Sequence, residues 1–142
     1  MKNQVLLLFL ICFGCAQKQK TPEVHISLVN NNKSVKITGL DYAIISEIYR
    51  DSVAGIWENL LPAYRMPADT DMKDYQPVQH GLYQLKDSSV VFTPDTPFAS
   101  SKTYFIRYYQ FGKGDSAFDL LKEKKKLGST NYIDLVFKGG GV

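Results

Sequence analysis

Residues 90–109, VVFTPDTPFASSKTYFIRYY, decide the fold class because they contain two strand patterns and the rigid turn between them. Val90 and Phe92 share one face of the first strand, which gives the period of two typical of a half-buried β-strand. Two prolines follow, and a strand ends where proline fixes φ and removes a backbone donor. Residues 104–109 then resume the alternation. This stretch predicts β structure on both sides of a turn.

The same alternation recurs in both directions along the chain. Further strands are predicted at residues 24–28, 34–38, 82–85 and 133–137, with turns at residues 30–33 and 86–88. Another strand is predicted near residues 58–66, where Pro62 confines it to an edge or a bulge. Residues 67–79 show no period and are predicted to form a loop.

Two helical interruptions are predicted between these strands. Asp41 can cap a short helix in which Tyr42, Ile45, Ile48 and Tyr49 fall at helical spacing. A second helix is predicted from about residue 116 to Leu127. About seven antiparallel strands with one or two short helical insertions predict an all-β fold, an immunoglobulin-like antiparallel β-sandwich over residues 23–138, before a flexible end at residues 139–142.

The alternation also predicts the core, since a shift by one residue would turn every side chain of a strand to the other face. The predicted inward residues are Val24, Ile26, Val35, Ile37, Tyr83, Val90, Phe92, Tyr104, Ile106, Ile133, Leu135 and Phe137.

Composition bounds the class of protein. The chain has 142 residues, of which 44% are hydrophobic and 13% aromatic, so it is long enough for one folded domain. The 17 Lys plus Arg and 14 Asp plus Glu leave a net charge of +3, too small to indicate nucleic-acid binding without a concentrated basic patch. We therefore expect no nucleic-acid partner.

The beginning of the chain has the pattern of an export signal. Lys2 precedes the apolar run Val5–Phe13, which is about half the ~20 residues that a membrane-spanning helix needs. The run ends at Gly14 and Cys15, and a small residue suits a cleavage site. The pattern predicts a signal peptide over residues 1–14.

Residues 11–15 resemble a bacterial lipobox in a loose form. The resemblance implies that Cys15 becomes the lipid-modified N-terminus of the mature chain, attached to the membrane through residues 15–22 as a tether. It further implies outer-membrane sorting because Ala16 follows the cysteine, and a periplasmic face because Gln17–Lys20 has no acidic run. The alternative is an ordinary secretory signal followed by an incidental cysteine.

A second resemblance covers about residues 35–110. Val91–Phe98 followed by Tyr104–Ile106 resembles the signature of bacterial immunoglobulin-like domains, and Ile37–Asp41 and Gly81–Tyr83 also fit it. The combination is similar to envelope lipoproteins of the Bacteroidetes type. The resemblance implies an immunoglobulin-like fold and transfers no catalytic residue.

The outer face of the long strand at residues 104–111 is the candidate binding surface. Aromatic side chains on the solvent side of a sandwich serve carbohydrate, peptide or protein recognition. The candidate residues are Phe105, Arg107, Tyr109 and Phe111. The alternative is that the predicted second helix covers them with Phe118 and Leu121, because an amphipathic helix must bury its apolar stripe.

Metal chemistry has weak candidates in this sequence. Asp69, Asp71 and Asp74 place three carboxylates in one segment, as Ca²⁺ binding requires, but the rest of the EF-hand pattern is missing. A solvated acidic loop is the expected interpretation. His25 and His80 are too few for a zinc site, which needs three or four ligands. No metal and no cofactor is predicted.

No catalytic residue is predicted, since no serine lies in a Gly-x-Ser-x-Gly elbow and no pair of carboxylates is singled out. The basic run at residues 122–126 suits either anionic lipid or, as we expect, the C-terminal end of a helix. The expected function is a non-catalytic binding or structural module of the cell envelope with an envelope protein or glycan as partner. The alternative is a small accessory enzyme acting on envelope glycans or peptides.

Overall fold

The computed structural model describes residues 23–51, 55–110 and 131–140, and within them seven strands and a few short helices occur. In chain order the elements are β1 (His25–Val29), β2 (Ser34–Thr38), α1 (Tyr42–Asp51), α2 (Ile56–Leu60), β3 (Ala63–Arg65), a 3₁₀ helix (Thr70–Tyr75), β4 (Gly81–Lys86), β5 (Ser89–Pro94), β6 (Thr103–Tyr109) and β7 (Tyr132–Lys138). The first sheet has the order β1-β2-β5-β4 and the second the order β3-β6-β7, with antiparallel pairing throughout. This mostly-β arrangement of two sheets is consistent with a β-sandwich.

Two turns of left-handed backbone set the register of the first sheet. Asn30, Asn31 and Asn32 join β1 to β2 with φ between 53° and 63°, a region that asparagine tolerates better than most residues. Asp87 and Ser88 join β4 to β5 with φ of 49° and 58°, as a tight two-residue hairpin requires. Both turns lie where the sequence predicts them.

The core between the two sheets contains most of the predicted inward residues. Those with at most 5% exposure are Val35, Ile37, Val90, Phe92, Tyr104 and Ile106. The half-buried members of the predicted set are Val24, Ile26, Tyr83, Leu135 and Phe137. Ile133 is the exception, because its side chain is 44% exposed near the beginning of β7, which forms an edge of the second sheet in the described part of the chain.

Residues 56–66 differ from the expected single strand. Ile56 and Leu60 are four residues apart and both buried, so this part of the chain forms α2 instead. The amide of Leu61 donates to the carbonyl of Trp57 and ends the helix. Only Ala63–Arg65 is a strand, and it lies at the edge of its sheet, directly after Pro62.

The predicted first helix is confirmed, with one correction about its faces. The Asp41 carboxylate accepts a hydrogen bond of 2.8 Å from the amide of Ala43, which caps α1. Ile45 and Ile48 are buried, whereas Tyr42 and Tyr49 point outward with exposures of 73% and 76%. The branched aliphatic side chains of Ile45 and Ile48 therefore make the contact between α1 and the core. The predicted helix at residues 116–127 lies outside the described residues.

Candidate functional site

The outer face of the second sheet carries an ion pair that is almost completely buried. Arg107 on β6 lies directly opposite Asp134 on β7. Its Nε and Nη2 donate to Oδ1 and Oδ2 of Asp134 at 2.8 and 3.0 Å, and the two side chains are only 9% and 11% exposed. This is the bidentate geometry in which a guanidinium and a carboxylate interact most strongly.

The 3₁₀ helix packs over this pair and supplies two more charges. Its Asp69 cap accepts a hydrogen bond from the amide of Asp71, which fixes the beginning of the helix. Lys73 Nζ then lies 2.7 Å from Asp134 Oδ2, and Asp74 Oδ1 accepts from Arg107 Nη2 at 2.8 Å. We name Arg107, Asp134, Lys73 and Asp74 the Arg107 cluster.

Aromatic rings surround the charges of the Arg107 cluster. The guanidinium lies 3.9 Å from the ring centroid of Tyr132, and Lys73 Nζ lies 4.7 Å from that of Phe105. Tyr64 stacks on Phe105 with a centroid distance of 5.1 Å. The negative faces of these rings attract the two cations, and the rings also remove water from them.

The cluster shifts the pKa values of Arg107 and Asp134. Burial alone would raise the pKa of Asp134, but hydrogen bonds from Arg107 and Lys73 outweigh it and hold that pKa below its usual range. Burial opposes the charge of Arg107, yet the hydrogen bonds to Asp134 and Asp74 raise its pKa above the ordinary value. Burial raises the pKa of Tyr64. The bidentate pair of Arg107 and Asp134 is therefore charged on both sides at neutral pH.

The structure corrects the predicted accessibility of the candidate binding surface. Phe105 is completely buried, and Arg107 and Tyr109 are only 8% and 9% exposed. Lys73 and Asp74 of the 3₁₀ helix contact this face, whereas the sequence predicts residues 67–79 as a loop and gives no sign that they cover β6. Phe111 and the helix expected to cover the face lie outside the described residues, as does Cys15.

Sequence reasoning missed Asp134, Lys73 and Asp74 as partners of Arg107. The available signal was that Arg107 and Asp134 each interrupt a run of apolar or aromatic residues within a strand. Charged residues at such positions are rarely buried unless they are paired. That pattern indicates a cross-strand pair, but it does not indicate which strands are neighbours.

The predicted metal candidates have other partners in the structure. Asp74 binds Arg107 and Asp69 caps the 3₁₀ helix, so the acidic residues do not converge on one point. His80 Nδ1 lies 2.6 Å from Glu58 Oε1 at the surface, and His25 lies near Glu23. In the described part of the chain, no three His, Cys, Asp or Glu residues are grouped to hold a metal ion.

A small apolar cavity separates α1 and α2 from β6. Its lining consists of Leu40, Asp41, Ile44, Ile45, Trp57, Leu60, Leu61 and Tyr108. The volume of about 10 Å³ is close to the minimum that holds one water molecule. Six of its eight lining residues are apolar, so the cavity is mainly a packing space between these elements.

Comparison with known proteins found no matching family model, no matching curated protein and no matching solved structure. Among the helices of the described ranges, none is both long enough and apolar enough to cross a membrane. The role of the outer face of the second sheet is therefore inferred from the geometry of the Arg107 cluster.

The lowered pKa of Asp134 predicts a loss of stability in acid. An aspartate whose folded-state pKa is depressed stabilises the fold fully above its unfolded pKa of about 3.9, and this contribution disappears as the pH falls through the folded-state value. Urea unfolding between pH 7 and about pH 2 should show the wild type losing more stability than Asp134→Asn, because only the wild type has the Asp134 carboxylate, whereas the other acidic residues titrate in both proteins. A constant difference between the two proteins over this range would contradict the prediction.

Proposed function

We propose that this protein is a lipid-anchored protein of the cell envelope, whose immunoglobulin-like β-sandwich over residues 23–138 is a non-catalytic binding or structural module. The observation that carries the proposal is the apolar run Val5–Phe13, which ends at Gly14 and Cys15 and is followed by a polar segment. The first strand begins at His25, so a short tether joins the anchor to the fold.

The chemistry of Cys15 supports this proposal. Removal of residues 1–14 would leave Cys15 as the only cysteine of the mature chain, without an intramolecular disulfide partner. A free thiol is reactive in an oxidising compartment. Thioether formation with a diacylglyceryl group consumes the thiol, and two acyl chains give stable membrane attachment where one chain alone is marginal. Ala16 after the cysteine and the non-acidic Gln17–Lys20 favour the periplasmic face of the outer membrane.

The Arg107 cluster supports a structural role for this face of the module. Its carboxylates accept from Arg107 and Lys73, so these charges are directed at one another and hold the 3₁₀ helix against the second sheet. The arrangement stabilises the packing of the 3₁₀ helix on the second sheet, and it leaves little of the Arg107 side chain exposed. An envelope protein or glycan is the partner class we propose for the module.

Substitution of Cys15 tests the anchor. The full chain should be expressed in a bacterium that processes lipoproteins, and detergent phase partition and intact mass should be measured. We expect the wild type in the detergent phase, with a mature mass that begins at Cys15 and includes the lipid. Cys15→Ser should move to the aqueous phase, since it lacks the acceptor thiol.

Cys12→Leu is the matched control for this experiment. It removes the other cysteine and places there the residue usual at this position of a lipobox, so this variant should still partition into the detergent phase. A wild-type protein found in the aqueous phase, or a mature mass without the lipid increment, would show that the anchor does not exist.

A further inference from the structure

We propose that one particular end of the two-sheet structure faces the phospholipid headgroups of the membrane that holds the anchor. Among the described residues, this anchor-proximal end includes Glu23, Gly39–Tyr42 and Lys86–Ser88. The inference rests on the lipid attachment at Cys15 proposed above, and it adds which surface of the protein meets the membrane.

The length of the tether limits how far the fold can turn. Eight residue steps separate Cys15 from Glu23, and a chain of that length spans at most about 28 Å when fully extended. Glu23 therefore cannot lie farther than about 28 Å from the lipidated residue.

The structure identifies the groups that share an end with Glu23. A Cβ atom placed on Gly39, whose φ is +79°, would lie 2.2 Å from the carbonyl oxygen of Glu23, so the end of β2 and the beginning of the fold are in contact. In the same sheet Ile37 is opposite Val90, and β5 begins one residue earlier at Ser89, directly after the β4–β5 turn. The turn with Lys86 is thus at the same end.

The two ends of the second sheet lie beside the corresponding ends of the first sheet. Leu40 and Asp41, which follow β2, line one cavity with Tyr108 near the end of β6. At the other end, the amide of Gly139, after β7, donates to the carbonyl of Lys102, before β6. A Cβ on Gly140 would meet Asn32 of the β1–β2 turn. The β1–β2 turn and the adjacent end of the second sheet therefore lie at the end of the fold that is distal to the anchor.

An inverted orientation would require a stretched tether. The six residues of β5 run from one end of the first sheet to the other and span about 20 Å. Turning the β1–β2 turn toward the membrane would raise Glu23 by at least this distance, which approaches the full length of the tether. The loss of chain entropy opposes that arrangement.

The chemistry of the anchor-proximal end suits a headgroup layer. Tyr42 stands in the first turn of α1 with 73% of its surface exposed. Tyrosine combines an apolar ring with a polar hydroxyl and is enriched where membrane meets water. Lys86 is exposed beside the turn and can interact with lipid phosphates.

Two lysines provide a matched pair for the test. Lys86 adjoins the proximal β4–β5 turn and Lys33 adjoins the distal β1–β2 turn, and both are exposed. Because Cys15 is consumed by its lipid, Lys86→Cys or Lys33→Cys would carry the only free thiol of the mature chain. Each lipidated variant should be labelled with a fluorophore and reconstituted in phosphatidylethanolamine–phosphatidylglycerol vesicles containing a headgroup-nitroxide lipid.

We expect the label at residue 86 to be quenched several-fold more than the label at residue 33. Equal quenching, or stronger quenching at residue 33, in protein whose mass includes the lipid would overturn the orientation and leave the anchor standing. A mature mass without lipid would overturn the anchor itself and the orientation with it.

A longer tether tests the cause of the orientation. Inserting about 20 Gly and Ser residues after Lys20 would raise the relaxed tether length to nearly 30 Å. The difference in quenching between the two labels should then shrink. An unchanged difference would overturn tether length as the cause of the orientation.

Discussion

Arg107→Met should lower the free energy of unfolding by about 3–5 kcal/mol, because it leaves a buried carboxylate without its main partner. Asp134 is 11% exposed and accepts two hydrogen bonds from this guanidinium. Lys73 alone would remain near it, at one of its two oxygens. The variant would also release Asp74 and thus loosen the contact between the 3₁₀ helix and the second sheet.

Two variants separate burial from charge in this prediction. Asp74→Asn removes a contact of the same arginine at 2.8 Å, but Asp74 is 62% exposed, so a cost of only about 0–1 kcal/mol is expected. The double variant Arg107→Met with Asp134→Leu should recover much of the lost stability, because apolar pairs often replace buried ion pairs without loss. Urea unfolding of the wild type, the two single variants and the double variant measures the four free energies of unfolding. Equal costs for Arg107→Met and Asp74→Asn would contradict the assignment of a buried pair.

Phe92→Ala should cost about 3–5 kcal/mol, which is a large part of the stability of a small domain. Phe92 has no exposed surface and lies at the centre of an aromatic group, with ring centroids 4.6 Å from Tyr83 and 6.4 Å from Phe98. Its removal would leave a cavity that these rings, held by their own strands and turn, cannot fill completely.

Leu82→Ala is the control for this prediction. Leu82 lies on β4, which pairs with the strand of Phe92, but its side chain is 57% exposed. We expect a change within about 0.5 kcal/mol. Chemical unfolding followed by circular dichroism would measure both variants. A small cost at Phe92 would show that this ring is not part of the core.

Local patterns in the sequence determined six of the seven described strands and most of the inward residues, whereas residues 56–60 form a helix where a strand is predicted. Alternation assigns a face to each residue without reference to any other strand, so Val35, Ile37, Phe92 and Ile106 are identified correctly. Turn residues act locally as well, since asparagine, aspartate and serine tolerate the left-handed backbone of the two hairpins. The capping of α1 by Asp41 is local for the same reason.

The exposure of β6 depended on elements distant in the sequence. Alternation places Phe105 and Arg107 on the outer face, but it does not show that the 3₁₀ helix lies on that face. Asp134 is 27 residues from Arg107 and Asp74 is 33 residues away, so the ion pairs form only after the strands and the 3₁₀ helix have packed.

Backbone periodicity and turn chemistry were therefore enough to predict a β fold with two tight hairpins and one inward face on each main strand, and the apolar run that ends at Gly14 and Cys15 is visible in the sequence alone. Which outer residues are covered depended on the packing of elements far apart in the chain. The period of a strand is a property of its backbone, whereas the burial of Arg107 or the exposure of Ile133 depends on which elements pack beside them.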